Sequence, residues 1–133
     1  MSNKLFKRLI YVYIGTSDYE MDFKFYSEVL GARLLWKFKN FGARVAGFNL
    51  CGEPYLIIAD HVHAPSKRLI YEVENLEDTF RILKSQGWKP DGEKFEVPDG
   101  PCYNFTDVSG NEYAILQMSR PHILEKEFKH DKE

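Results

Sequence analysis

The sequence of 133 residues has little cysteine and no long hydrophobic run. Its two cysteines, Cys51 and Cys102, are too few for a disulfide framework and form no C-x-x-C pair, so we interpret both as packing residues. No apolar segment approaches the roughly 18 residues that a membrane-spanning helix needs. The first residues also lack the apolar stretch of a signal peptide. We therefore expect a cytoplasmic protein with no membrane partner.

The sequence also lacks a charge excess of either sign. Eighteen Lys and Arg against 20 Asp and Glu give a formal net charge of −2, unlike the strongly basic proteins that bind nucleic acids by releasing counterions. The length suits one domain. Aromatic residues, in contrast, are abundant at 15% of the chain. That share favours a large core or an aromatic-lined cavity.

Local patterns divide the chain into two similar halves. Short runs of β-branched and aromatic residues predict strands, and amphipathic stretches between a capping residue and a glycine predict helices. The order β-α-β-β-β is predicted for about residues 8–60 and again for about 67–118, with a connector at 61–66. The predicted strands are 8–14, 32–38, 43–50, 55–59, 67–73, 88–97, 101–105 and 112–117, and the helices begin near Ser17 and Asn75 and end at Gly31 and Gly87.

The connector and the tail carry weaker signals. His61 and His63 form an H-x-H pair, which binds metals when it is extended, but no third ligand is obvious and we interpret the segment as a solvated loop. Residues 119–133 hold eight charged residues with only Ile123, Leu124 and Phe128 apolar. This tail is predicted to be a partly frayed surface helix, the alternative being an arm that docks on a partner subunit.

Two motifs at matching places in this plan indicate a family. Residues 25–31, F-Y-S-E-V-L-G, are similar to an F-Y-x-x-x-L-G helix ending, and residues 105–111, F-T-D-V-S-G-N, to an F-x-D-P-x-G-N turn with Val108 in place of proline. Together with the paired plan, they resemble the vicinal oxygen chelate superfamily, which contains glyoxalase I, extradiol dioxygenases and bleomycin-resistance proteins. The resemblance implies an α+β fold in which two βαβββ modules form a curved mixed sheet with a cleft, in one domain over residues 1–133.

The enzymes of this superfamily hold a divalent metal with His and Glu side chains, and this sequence lacks them. Counting from the two motifs places the four ligand positions at Tyr11, Ile57, Arg68 and Ala114. Aliphatic side chains have no lone pair, a guanidinium is a cation, and a neutral phenol is a poor ligand. We therefore expect neither a metal nor another cofactor at this site.

Without the metal, the concave face of the sheet is predicted to form a ligand cavity. Alternation along the strands directs aromatic and polar side chains to that face, although the same aromatics would alternatively fill a solid core. The candidate ligand-binding residues are Tyr11, Tyr13, Trp36, Phe38, Phe48, Arg68, Glu72, Tyr103, Phe105 and Glu112. Arg68 would anchor a carboxylate or phosphate, whereas Glu72 or Glu112 would favour a cation.

Three functions follow from this interpretation. The leading hypothesis is a metal-independent protein that binds a small aromatic or cationic compound, as the resemblance to bleomycin-resistance proteins implies, and that forms a homodimer by the same analogy. A glyoxalase-like lyase or isomerase, or a dioxygenase, is the first alternative; it requires a metal despite the missing ligands, or a metal-free variant with Tyr11 or Glu112 as general acid or base. A non-catalytic interaction scaffold is the second. The sequence leaves the ligand, and any reaction, unidentified.

Overall fold

Eight strands and three short α-helices make up the computed structural model, which describes residues 5–40 and 42–128. The strands are β1 (Phe6–Gly15), β2 (Arg33–Asn40), β3 (Ala43–Asn49), β4 (Tyr55–Ala59), β5 (Lys67–Val73), β6 (Phe95–Val97), β7 (Gly100–Thr106) and β8 (Glu112–Gln117). The helices are α1 (Tyr19–Lys24), which continues as a π-helical turn (Phe25–Val29), α2 (Leu76–Ser85) and α3 (Ile123–Glu127).

The strands form one curved sheet in the order β2-β3-β4-β1-β5-β8-β7-β6. In each half the first strand lies parallel to the last, β1 beside β4 and β5 beside β8, and the halves join where β1 and β5 pair antiparallel. The repeated β-α-β-β-β order and the mixed α+β sheet are thus confirmed. The predicted strand 88–97 is reduced to the three-residue edge strand β6, because Pro90, Asp91 and Gly92 interrupt it.

Both longer helices begin at a capping side chain. Asp18 accepts a hydrogen bond from the backbone N–H of Met21 at 3.1 Å, one residue after the predicted Ser17, and Asn75 accepts one from Asp78 at 2.9 Å. The first helix widens into its π-helical turn and stops at Gly31, whose φ of +75° suits a residue without a side chain. These helices cover one face of the sheet.

Phe48 lies on the helix-covered face, so its predicted place in the cleft is wrong. It is fully buried, and its ring stands 5.2 Å from that of Phe23 and 5.8 Å from that of Tyr26. The pairing of β2 with β3 slips by one residue between Leu34 and Trp36. Because of this irregularity, Gly47 rather than Ala46 lies opposite Trp36, and Phe48, which alternates with Gly47, points to the other face of the sheet.

Tyr103 and Phe105 also lie on the helix side, contrary to prediction. The Tyr103 ring stacks on Phe80 of α2 at 4.8 Å, and the Phe105 ring contacts Trp88 at 5.5 Å and stacks on Tyr113 at 5.2 Å. The apolar stripe of α2 needs an apolar partner on the sheet, and β7 provides it with these two rings. The alternate residues of β7 consequently face the cleft.

Gly47 is required by the close approach of a tryptophan ring. A Cβ atom at this position would stand 2.8 Å from the indole nitrogen of Trp36 and would overlap its six-membered ring. We expect Gly47→Ala to displace the indole and to lower the free energy of unfolding by about 1–3 kcal/mol. Urea titration measures the loss, and fluorescence of Trp36 in a Trp88→Phe background reports the displacement. Lost stability with an unchanged spectrum would contradict this prediction.

Candidate functional site

The concave face of the sheet encloses a cavity of about 290 Å³. Aromatic side chains from β1 and β2 form much of its wall, namely Tyr11, Tyr13, Trp36 and Phe38. The Trp36 and Phe38 rings are stacked, 5.8 Å apart with planes at 15°. The cavity lies at the junction of the two halves, since β1, β5 and β8 all contribute to it.

All four positions where the superfamily's metal ligands are expected line this cavity. These positions are Tyr11, Ile57, Arg68 and Ala114. These four side chains lie on the inward face of β1, β4, β5 and β8. The side chains present there do not fit a divalent ion, because they offer one neutral phenol and no carboxylate or imidazole.

No other metal-binding cluster is found in residues 5–40 and 42–128, where no three His, Cys, Asp or Glu side chains come together. His61 borders the cavity, and its Nε2 lies 3.3 Å from the Tyr13 hydroxyl. His63 is exposed on the same connector. Cys102 also lines the cavity, where burial raises the pKa of its thiol to about 12, and Cys51 is exposed.

Arg68, the basic residue of the cavity, already has partners. Its Nη1 donates a hydrogen bond to the Tyr113 carbonyl at 2.6 Å, and its Nη2 lies 3.7 Å from Glu112 Oε2. Glu112 thus neutralises Arg68 but does not itself line the cavity. Glu72 also lies outside the cavity, where Arg8 Nε donates to it at 2.6 Å. Glu72 and Glu112 share the inward face of β5 and β8 with Arg68 and Ala114, but neither of them lines the cavity, so the structure does not place them in the predicted ligand site.

Within the described residues, the acidic side chain that lines the cavity is Asp99, in the turn between β6 and β7. Tyr11 donates a hydrogen bond from its hydroxyl to Asp99 Oδ2 at 2.7 Å. The Asp99 carbonyl accepts from the backbone N–H groups of Ser119 and Arg120, both at 2.9 Å, and this fixes the turn. Two residues 88 positions apart are in this way joined across the cavity.

Burial changes the acidity of this pair. Burial is the main cause that raises the pKa of the Asp99 carboxyl, and Glu125 raises it further, while Tyr11, Arg120 and His122 lower it. Burial and the neighbouring Asp99 also raise the pKa of Tyr11, which therefore stays protonated and acts as a donor. The pKa of Tyr13 is raised to about 12 by burial alone.

Asp99→Asn is expected to alter how stability depends on pH. Because the folded pKa of Asp99 is raised above its unfolded value, its stabilising contribution is complete below the unfolded pKa and is lost as pH rises through the folded pKa. The free energy of unfolding of the variant relative to the parent should thus increase as the pH rises from about 4, the unfolded pKa, through the raised folded pKa. Urea titrations at several pH values measure it. Glu74→Gln, at an 84% exposed side chain, is the control, and a constant difference for Asp99→Asn would contradict the assignment.

The segment after β8 closes one side of the cavity. Leu124 of α3 is buried and lines the cavity, and the Phe128 ring packs against Phe38 at 4.9 Å. The backbone N–H of Lys37 donates to the Phe128 carbonyl at 3.2 Å, which attaches the segment to β2. The tail up to residue 128 is thus a packed part of the site rather than a frayed surface helix, and residues 129–133 lie outside the described part.

Sequence reasoning missed Asp99 and the inward residues of β7, Cys102 and Asn104. Asp99 stands in a V-P-D-G sequence, which signals only a turn. For β7, the pairing of Asn104 with Ala114 determines which residues face the cavity. Residues directly opposite each other in paired strands share a face, so the inward Ala114 implies an inward Asn104.

A family model, the Glyoxalase/Bleomycin resistance protein/Dioxygenase superfamily, matches residues 8–115. The chain belongs to this superfamily. The match spans both β-α-β-β-β halves and both motifs, so the family resemblance drawn from residues 25–31 and 105–111 is confirmed. No curated protein matches the chain significantly.

Solved structures of other superfamily members share the fold. A methylmalonyl-CoA epimerase from Mycobacterium tuberculosis is 19% identical, with a TM-score of 0.74 over 88% of this chain and 91% of that one. A Streptomyces coelicolor methylmalonyl-CoA epimerase variant in complex with 2-nitronate-propionyl-CoA is 13% identical, with a TM-score of 0.71 over 86% and 96%. The halotolerant catechol dioxygenase BphC is 14% identical, with a TM-score of 0.62 over 84% of this chain and 42% of that one. At these identities the likeness concerns the fold alone. Within the described residues of this superfamily member, no helix is long and apolar enough to cross a membrane.

Proposed function

We propose that this superfamily member binds a small aromatic or cationic molecule in its cavity without a metal ion. The observation that carries the proposal is a cavity of about 290 Å³ with aromatic walls, which includes the four positions where metal-dependent members of the superfamily are expected to have their metal-binding side chains. Sites for small organic molecules are typically concave and mostly apolar with a few placed polar groups. Here the polar groups are Asp99, Tyr11 and Arg68, set among apolar walls.

The size of the cavity limits the ligand. Its 290 Å³ lies at the lower end of the roughly 300–1,000 Å³ typical of ligand pockets. An engineered apolar cavity of about 150 Å³ holds one benzene. A compound with one or two rings and a short polar substituent therefore suits the space within a single chain.

The alternative is an enzyme, since the named structural neighbours include epimerases and a dioxygenase. A lyase, isomerase or dioxygenase of the metal-dependent kind needs ligands that Tyr11, Ile57, Arg68 and Ala114 do not supply. A metal-free proton transfer would depend on the Tyr11–Asp99 pair, in which the protonated Tyr11 hydroxyl is the donor. An interaction scaffold is less favoured because the concave face of the sheet encloses an open cavity rather than a filled core.

The proposal includes a cytoplasmic homodimer, on the superfamily analogy. In support, Met21, Phe25 and Val29 recur every four residues along the first helix and are 63%, 46% and 70% exposed. Contiguous exposed apolar patches are features of interaction surfaces. Sedimentation equilibrium tests the assembly, and a monomer at all concentrations would remove it from the proposal.

Thermal unfolding with a panel of one- and two-ring aromatic amines, acids and alcohols tests the central proposal. A ligand present at a hundredfold excess over its Kd raises the free energy of unfolding by about 2.7 kcal/mol. We expect at least one class to produce such a shift in protein that elemental analysis finds free of metal. Stoichiometric Zn, Ni, Mn or Fe, or no shift with any compound, would overturn the proposal.

A further inference from the structure

Among residues 5–40 and 42–128, the acidic group of the cavity, Asp99, has no cationic partner. Asp99 is 4% exposed and lines the cavity, yet in the described part of the chain its carboxylate forms no ion pair and accepts one hydrogen bond, from Tyr11 to Oδ2. Arg120 lies nearby, but its guanidinium donates to Glu96 and to the carbonyl oxygens of Val97 and Pro98. A buried carboxylate without a cation is costly.

The basic group of the same cavity, Arg68, already has an anionic partner. The guanidinium of Arg68 is held by the Tyr113 carbonyl at 2.6 Å and lies 3.7 Å from the Glu112 carboxylate. An anionic ligand would have to compete with Glu112 for Arg68. A cationic ligand would meet Asp99 with no such competition, so the charge balance of the cavity favours a cation.

The aromatic wall of the cavity also favours a positively charged ligand. Tyr11 and Tyr13 follow each other on the inward face of β1, and Trp36 and Phe38 stack on the inward face of β2. The faces of aromatic rings attract cations, most strongly where water is excluded. An ammonium group inside this cavity would therefore find both a carboxylate and ring faces.

We propose that Asp99 is the recognition group for an organic ammonium ion, a protonated or quaternary amine carried on a small apolar body. The inference rests on the proposed function, because it names the class of ligand for that same cavity. The cation lies against the Asp99 carboxylate, and the apolar body packs against the aromatic wall. Tyr11 is a positioning residue, since its hydroxyl holds Oδ2 and leaves Oδ1 for the ligand.

Three probes of one shape and different charge test this inference on the full chain. Benzyltrimethylammonium is the cation, neopentylbenzene its neutral isostere and phenylmethanesulfonate the anion, and titration followed by NMR gives each affinity. The parent should bind the cation about tenfold more tightly than the neutral isostere, a factor typical of one strong charge contact, and the anion most weakly. Asp99→Asn should remove the preference for the cation while the neutral probe keeps its affinity within about twofold.

Two further variants complete the experiment. Glu74→Gln makes the same chemical change at an exposed site and should leave all three affinities unchanged. Tyr11→Phe should move the pH at which cation binding is lost to a higher value, because the Tyr11 hydrogen bond lowers the pKa of Asp99, whereas a purely structural role would leave that pH unchanged.

The outcomes separate the two proposals. Equal binding of the cation and the neutral isostere, or an unchanged preference in Asp99→Asn, would overturn the role of Asp99 while the cavity remained a binding site. If none of the probes binds to the parent and the wider aromatic panel gives no shift either, the proposed function itself fails. A cation preference that depends on Asp99 supports both.

Discussion

Ala114→Phe is expected to abolish ligand binding while the fold is retained. Ala114 is fully buried on β8 and lines the cavity beside Ile70 and Asn104, its register partners. A benzyl side chain projecting from this position occupies space that a ligand would need. Since benzene takes up a cavity of about 150 Å³, one such ring fills around half of the 290 Å³ available.

The measurement is thermal unfolding with and without benzyltrimethylammonium. In the parent, a concentration of a hundred times Kd raises the free energy of unfolding by about 2.7 kcal/mol, and in Ala114→Phe the shift should disappear. Ala114→Val should give an intermediate loss of affinity. A variant with the larger ring that still binds the probe would show that the ligand lies elsewhere.

Overpacking alone has to be separated from filling of the cavity. Ala46 offers a matched position, because it is also fully buried on a strand but belongs to the Phe48 cluster on the helix side. Ala46→Val should cost about 1–3 kcal/mol in stability and leave probe affinity unchanged. Ala114→Val places its extra methyl groups in the cavity, so it should leave stability nearly unchanged and lower the affinity for the probe.

The fold was predictable because its signals are local. Capping residues such as Asn75, glycines such as Gly31, and the turn at 107–111 fix element ends within a few residues. In that turn Asp107 Oδ1 accepts from the backbone N–H groups of Ser109 and Asn111 at 3.1 and 2.8 Å. Because hydrogen bonds fix the position of this motif, residues on the neighbouring strands can be located by counting from it. The four positions located by counting from the two motifs, Tyr11, Ile57, Arg68 and Ala114, all line the cavity.

The site was only partly predictable because the rest of it depends on pairing between distant residues. A one-residue slip between β2 and β3 turns Phe48 to the helices, and strand alternation alone cannot detect a slip in a partner strand. Asp99 joins Tyr11 across 88 positions. Its local sequence specifies a turn, whereas its role comes from where the sheet's curvature places that turn.

Phe48→Ala separates packing from binding with the largest expected effect on stability. The ring of Phe48 is fully buried between Phe23 and Tyr26, so its loss leaves a cavity that rigid neighbours fill poorly. The free energy of unfolding should fall by about 3–5 kcal/mol, a large part of the roughly 5–15 kcal/mol of a typical domain. Urea titration measures the loss.

Phe38→Ala makes the same chemical change on the other face of the sheet. Phe38 is half-buried, lines the cavity and contacts Phe128, so its removal should cost less stability but should weaken binding of benzyltrimethylammonium. Where Phe48→Ala is too unstable to study, Phe48→Leu should show a smaller loss of stability and an unchanged affinity. If Phe48→Leu keeps its stability but loses as much affinity as Phe38→Ala, Phe48 contributes to the ligand site. That outcome would contradict the assignment of Phe48 to the helix-covered face and of Phe38 to the cavity face.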